Sequence, residues 1–261
     1  MIRCNDGVRD SKCSREVLFL VGSFVIGLAA TSFLNASLAH DGDDHDHKGK
    51  TPQVRKVANA ELYAPTPMPD RIVLTWSGDP TTSQSVTWRT STEVVDGLAE
   101  IALATSGPEF VKSATRVKAE SVALKTDLNT AHFHSVVFKD LTPGTKYTYR
   151  VGDGVNWSEW FQFRTANITP EPFSFVYFGD AQNDLRSLWS RVIREAYSDA
   201  PKARFLLHAG DLINTAQSDA EWGEWFGGGA WLNATIPNVP VVGNHEIDRK
   251  STRLNSSHLV I

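Results

Sequence analysis

The chain has 261 residues, 41% of them hydrophobic and 21% charged, with a formal net charge of −4. That is enough for one large or two ordinary domains of a soluble globular protein. The mild acidity and the lack of any basic run argue against nucleic acid as a partner, and eight tryptophans point to well-anchored cores or a stacking surface.

The N-terminus carries Arg3, Arg9, Lys12 and Arg15, then an apolar run from Val17 to Leu34, then "NASLA". Ser37 and Ala39 are small residues placed for a cut before His40, so residues 1–39 read as a secretory signal. A membrane anchor is the rival, but the run is of minimal length and broken by Gly22, Gly27, Thr31 and Ser32. Both cysteines, Cys4 and Cys13, precede the run. The processed chain would have no disulfide, no stable membrane insertion and a secreted or periplasmic location. Residues 40–68 follow as a His/Asp-rich polar linker that starts with "HDGDDHDHKGK" and ends in a proline-rich lead-in. Its histidines could capture metal, but a flexible chain fixes no coordination geometry, and a solvated linker is the plainer reading.

From residue 69 the hydrophobic period becomes two. "RIVLTWSG", "SQSVTWRT", "AEIALATS", "HFHSVVFKDL", "KYTYRVGD" and "EWFQFRT" are short β-branched and aromatic runs, separated by "SGDPTTS", "TPGT" and "GDGVNWS". This predicts an antiparallel β-sandwich over residues 69–166. "LTPGTKYTYRV" resembles the late strands of a fibronectin type III domain, with Tyr147 as the corner tyrosine whose hydroxyl bonds back to the main chain. His132 and His134 alternate along one strand and serve packing or the domain interface.

After "NITPEP" the pattern changes again. "FSFVYFGD" is a continuous apolar run, suited to a strand buried on both faces. "DLRSLWSRVIREAYSDA" places Leu185, Leu188, Trp189, Val192, Ile193 and Ala196 on one helical face. "ARFLLHAGD" is a second strand, with His208 in its core. Ser218 and Glu221 are spaced as a capping box, ahead of Trp222, Trp225 and Phe226 on a core-facing helix. "IPNVPVVGNHE" is a third strand. Alternating strands and helices over residues 173–250 predict parallel crossovers, with the active edge at the strands' carboxyl ends.

Those ends are alike: "FGDAQ", "HAGDLIN" and "VGNHE". Each glycine permits a sharp turn, and the side chains delivered are Asp180, Asp211, Asn244 and His245. One Gly-Asp alone is a common turn dipeptide; three in succession on strand tips are a site. Two carboxylates and an amide oxygen, with no lysine or arginine adjacent in sequence, call for cations between them.

The blocks GD, GD and GNH, in this order behind a sandwich, resemble the metallophosphoesterase (calcineurin-like) superfamily and, within it, the purple acid phosphatases. The resemblance covers residues 69 to 247. It implies two metal ions (iron, zinc, manganese or magnesium) and hydrolysis of phosphate monoesters. Asp180 would bind the first metal, Asp211 bridge both and Asn244 bind the second. His245 would meet the substrate phosphate or leaving group. Phosphodiester or nucleotide substrates remain open, as does a non-catalytic exported binding protein; substrate and oligomeric state are not legible. Two positions depart from the family pattern. Asn214 stands where purple acid phosphatases have a tyrosine ligand, and Gln182 where many metallophosphoesterases have a histidine. The family's three downstream histidines are also missing; His258 in "NSSHLVI" matches neither expected block. Residues 251–261 therefore read as a non-native tail on a fragment of the catalytic domain, and the fragment is expected to be inactive. Asn156, Asn167 and Asn233 begin glycosylation sequons that matter only in a secreted eukaryotic protein.

Overall fold

The computed structural model describes residues 55–247. The expected signal, the first part of the linker, both cysteines and the expected tail lie outside the described residues. The lead-in contributes a single helical turn, α1 (Asn59–Leu62).

Eight strands follow: β1 (Asp70–Thr75), β2 (Gln84–Thr90), β3 (Leu98–Leu103), β4 (Thr115–Lys118), β5 (Glu120–Lys125), β6 (Thr130–Phe138), β7 (Lys146–Gly152) and β8 (Phe161–Arg164). They pair antiparallel in two four-stranded sheets, ordered β1-β2-β6-β5 and β4-β3-β7-β8. Between the sheets lie Leu74, Val86, Trp88, Phe138, Tyr149 and Phe161. Tyr147 turns the expected corner: its hydroxyl accepts the Thr142 N–H at 2.8 Å. Six strands coincide with the runs read from sequence. β4 and β5 do not; each is an edge strand with most side chains exposed, so no buried face imprints a period of two.

The second layer has β9 (Val176–Phe178), α2 (Ser190–Asp199), β10 (Leu206–His208), α3 (Asp219–Thr235) and β11 (Asn238–Pro240). Its three strands are parallel, with β10 central. The core under the sheet is aromatic: Phe178, Trp189, Trp222 and Trp225, with Leu212, Ile213 and Ile193. Two expectations need correction. β9 is not buried on both faces: Phe173, Phe175 and Tyr177 are exposed, while Phe178 is buried in the core and the half-buried Val176 packs against it. The expected six-residue helical face is also narrower, because a π-turn over Leu185–Trp189 opens the helix. Leu185, Trp189 and Ile193 are buried, whereas Leu188 and Val192 face solvent. Ala230 breaks α3 with a φ of 37°.

Sandwich and layer meet along α3 and β11. The Tyr149 hydroxyl donates to Ala234 O at 2.6 Å, and Thr75 Oγ1 donates to Asn238 O at 2.7 Å. The second bond fixes where β11 starts, and so where its tip ends. Among the described residues no helix is long and apolar enough to cross a membrane.

Candidate metal centre at the strand tips

Phe178, His208 and Pro240 stand level across the parallel sheet. Asp180, Asp211 and Asn244 follow within a few residues, so all three leave the same edge, Asp211 from the central strand. Asp180 and Asp211 both have a φ of 51°, and Gly210 a φ of 92°. These left-handed residues bend the chain away from the sheet as soon as the ladder ends.

The tips are held against one another by hydrogen bonds. Gln182 N donates to Asp211 O at 3.2 Å, which ties the β9 tip to that of β10. Asp211 Oδ1 accepts the His245 N–H at 2.9 Å, which ties β10 to β11. Two glycines allow this approach. A Cβ on Gly210 would lie 2.6 Å from Gly243 Cα, and one on Gly243 would lie 2.2 Å from both Asp211 N and Asp211 Oδ1. Gly243→Ala is therefore expected to cost about 1–3 kcal/mol through overpacking, measured as a fall in the urea midpoint. Gly227→Ala is the control: its Cβ would meet nothing within 4 Å, and no loss is expected there.

His245 is oriented through its ring. Nδ1 lies 2.8 Å from Asn214 O; a carbonyl only accepts, so Nδ1 carries a proton and Nε2 is the nitrogen left for a further partner. The Asn214 loop is itself anchored, because Glu221 Oε2 accepts the Asn214 and Thr215 N–H groups at 2.7 and 2.8 Å. The capping box is thus only half realised. Ser218 Oγ accepts the Glu221 N–H at 3.3 Å, but the Glu221 carboxylate serves the site loop and not the Ser218 N–H.

One residue escaped the sequence reading. Glu246 is 2% exposed, and its carboxylate accepts four main-chain N–H groups. Oε2 takes those of Asp211 and Gly243 at 2.9 and 2.7 Å, and Oε1 those of Leu212 and Ile213 at 2.7 and 3.2 Å. Its only sequence signal was its place directly after Gly-Asn-His.

The uncommitted donors suit a hard cation. Asp180, Asp211 and Asn244 form no ion pair among the described residues, and the side chains of Asp180 and Asn244 make no hydrogen bond there. Gln182 Oε1 is a buried oxygen without a hydrogen-bond partner. The described residues contain no group of three or more His, Cys, Asp or Glu side chains that could hold a metal ion, so any ion here rests on amide oxygens as well as the carboxylates. His208, by contrast, is a core residue, with Nε2 on Asn238 Oδ1 at 2.9 Å.

The described chain is thus a β-sandwich leading into a parallel strand–helix layer whose tips carry Asp180, Asp211 and Asn244. Residues 69–165 match the family model for the purple acid phosphatase N-terminal domain. The chain is 25% identical over 132 residues to "Probable inactive purple acid phosphatase 1" of Arabidopsis thaliana, a match covering 44% of this chain and 22% of that one. Among solved structures it is similar to purple acid phosphatase PPD1 from yellow lupin (Lupinus luteus) seeds, with a TM-score of 0.57 and 20% identity over 72% of this chain and 38% of that one. A PhoD structure matches at a TM-score of 0.45 and 16% identity, covering 69% and 40% of the two chains. The chain thus spans about a fifth of the curated relative's length, and the lupin likeness is one of fold.

Proposed function

We propose that the strand tips form the metal-binding edge of an exported phosphatase acting on phosphate monoesters. The observation that carries this is the delivery of Gly-Asp, Gly-Asp and Gly-Asn-His from three adjacent parallel strands. Asp180, Asp211 and Asn244 would hold two metal ions, with Gln182 Oε1 as a further oxygen. When bound, such ions activate water and offset charge on a phosphoryl group. The chain's own residues do the rest. Asp211 offers Oδ2 while Oδ1 stays with the His245 main chain. His245, with Nδ1–H fixed on Asn214 O, presents Nε2 to bind a phosphate oxygen or, when protonated, to give a proton to the leaving oxygen. Export rests on the signal read over residues 1–39.

The described donors are few for two ions, and turnover by this chain alone is expected to be low. The Arabidopsis relative is named "Probable inactive purple acid phosphatase 1", which favours a second reading as a non-catalytic binding protein. Calorimetric titration with Mn2+ and Zn2+ separates the two. Binding that is lost in Asp180→Asn and Asp211→Asn supports the metal edge. Titrations in which these variants match the unaltered chain overturn it, and a p-nitrophenyl phosphate assay then reports whether bound metal turns substrate over.

A further inference from the structure

Glu246 is a buried carboxylate with no arginine or lysine partner among the described residues. Its charge is met entirely by main-chain N–H groups, three from the β10 tip and one from the β11 tip. Such converging amides carry partial positive charge and form a concave anion site; here the anion is supplied by the chain itself. Oε2 alone spans both tips, through Asp211 N and Gly243 N. Asp211 and Asn244 each adjoin one of those groups, so this carboxylate, together with the Asp211 Oδ1–His245 N–H bond, sets how far apart the two side chains stand.

We propose that Glu246 is a positioning residue: its carboxylate clamps the tips of β10 and β11 so that Asp211 and Asn244 can share one cation. The inference rests on the metal-edge reading above. Partners that orient metal ligands are commonly worth 10–100-fold in metal affinity. The four-point geometry also fixes the order of the variants. Glu246→Gln keeps one acceptor oxygen and turns an NH2 group toward two N–H donors, so it loses one pair of bonds. Glu246→Ala loses all four and leaves a carboxylate-shaped void.

The test is carried out on the full chain with three readouts: amide hydrogen exchange, Mn2+ affinity by calorimetry, and rescue by formate. In Glu246→Ala, exchange at residues 211–213 and 243 should accelerate while β2 and β6 stay protected. Mn2+ affinity should fall at least tenfold. Excess formate should restore both, where chloride at equal ionic strength does not. Glu246→Gln should lie between, and it carries the test by itself if the alanine variant does not fold. Unchanged Mn2+ affinity in a variant whose four amides have been deprotected overturns the inference, as does a loss of affinity that formate leaves untouched in a folded Glu246→Ala. If the unaltered chain binds no Mn2+, the metal-edge reading fails and the positioning role falls with it. That result differs from a failure of Glu246 alone, in which the unaltered chain binds.

Discussion

Replacing Asp219 with alanine should destabilise the chain by about 3–5 kcal/mol, the usual cost of removing one partner from a buried ion pair. Asp219 begins α3 with its side chain fully buried, and two guanidinium groups converge on it. Arg71 Nη1 reaches Oδ1 at 2.6 Å, and Arg89 Nη1 lies 3.5 Å from Oδ2. Both arginine side chains are nearly as buried as the aspartate. A bulge between Asp70 and Val73 aims Arg71 off its strand at α3, with a φ of 50°. Burial pushes the Arg71 pKa down, and neighbouring Arg89 adds to this; Asp219 opposes both. Removing Asp219 takes from Arg71 its one ion-pair partner among the described residues and leaves it only the weaker pull of Asp70, while Arg89 keeps Asp70 through bonds of 2.8 and 2.6 Å. The loss should appear as a lower urea midpoint by tryptophan fluorescence. Arg71→Met combined with Asp219→Leu, which removes the charges together, should recover much of it. An Asp219→Ala midpoint equal to that of the unaltered chain would mean that this network does not hold the sandwich to α3.

The strand tips were legible because a glycine followed by an aspartate or asparagine at the end of an apolar run breaks the pattern in one place, three times over. The sandwich was legible wherever one strand face is buried, and Tyr147 was legible because its turn and alternating tyrosines are local. What escaped has a common physical basis. Glu246 binds main-chain N–H groups, which every residue but proline carries, so its partners leave no mark in the sequence. Arg71 and Asp219 are far apart in the chain and meet only through a bulge. Thr115–Lys118 and Glu120–Lys125 pair through their main chains at sheet edges, where charged side chains are at no disadvantage. The converse error, at Phe173, Phe175 and Tyr177, came from equating an apolar run with a covered one; those rings are exposed and stack in part on Phe205.

Acid should loosen both halves of the molecule in one pH window. His134 is fully buried in the sandwich. Its Nε2 and Nδ1 lie 2.7 Å from Thr90 Oγ1 and Ser121 Oγ, and the ring stacks on Trp88. Burial, helped by His132, lowers its pKa to about 4. His208 is equally buried in the layer, among Phe178, Trp189 and Trp225, and burial likewise takes it to about 4 against the pull of Asn238. In the unfolded chain each would titrate near 6.5. Between those values the unfolded state binds more protons than the folded one, so stability is full above about 6.5 and drains away as pH falls toward 4. At pH 5 the loss is on the order of 2 kcal/mol for each ring. Urea midpoints at pH 7 and pH 5 should differ accordingly, and His134→Gln and His208→Gln should each flatten the difference. A midpoint independent of pH across this window would show that neither ring is held neutral. Because the two rings sit in separate cores beside different tryptophans, each variant also reports which half gives way first. His208 stands on the strand that delivers Asp211, so it is the layer's response that would reach the metal edge.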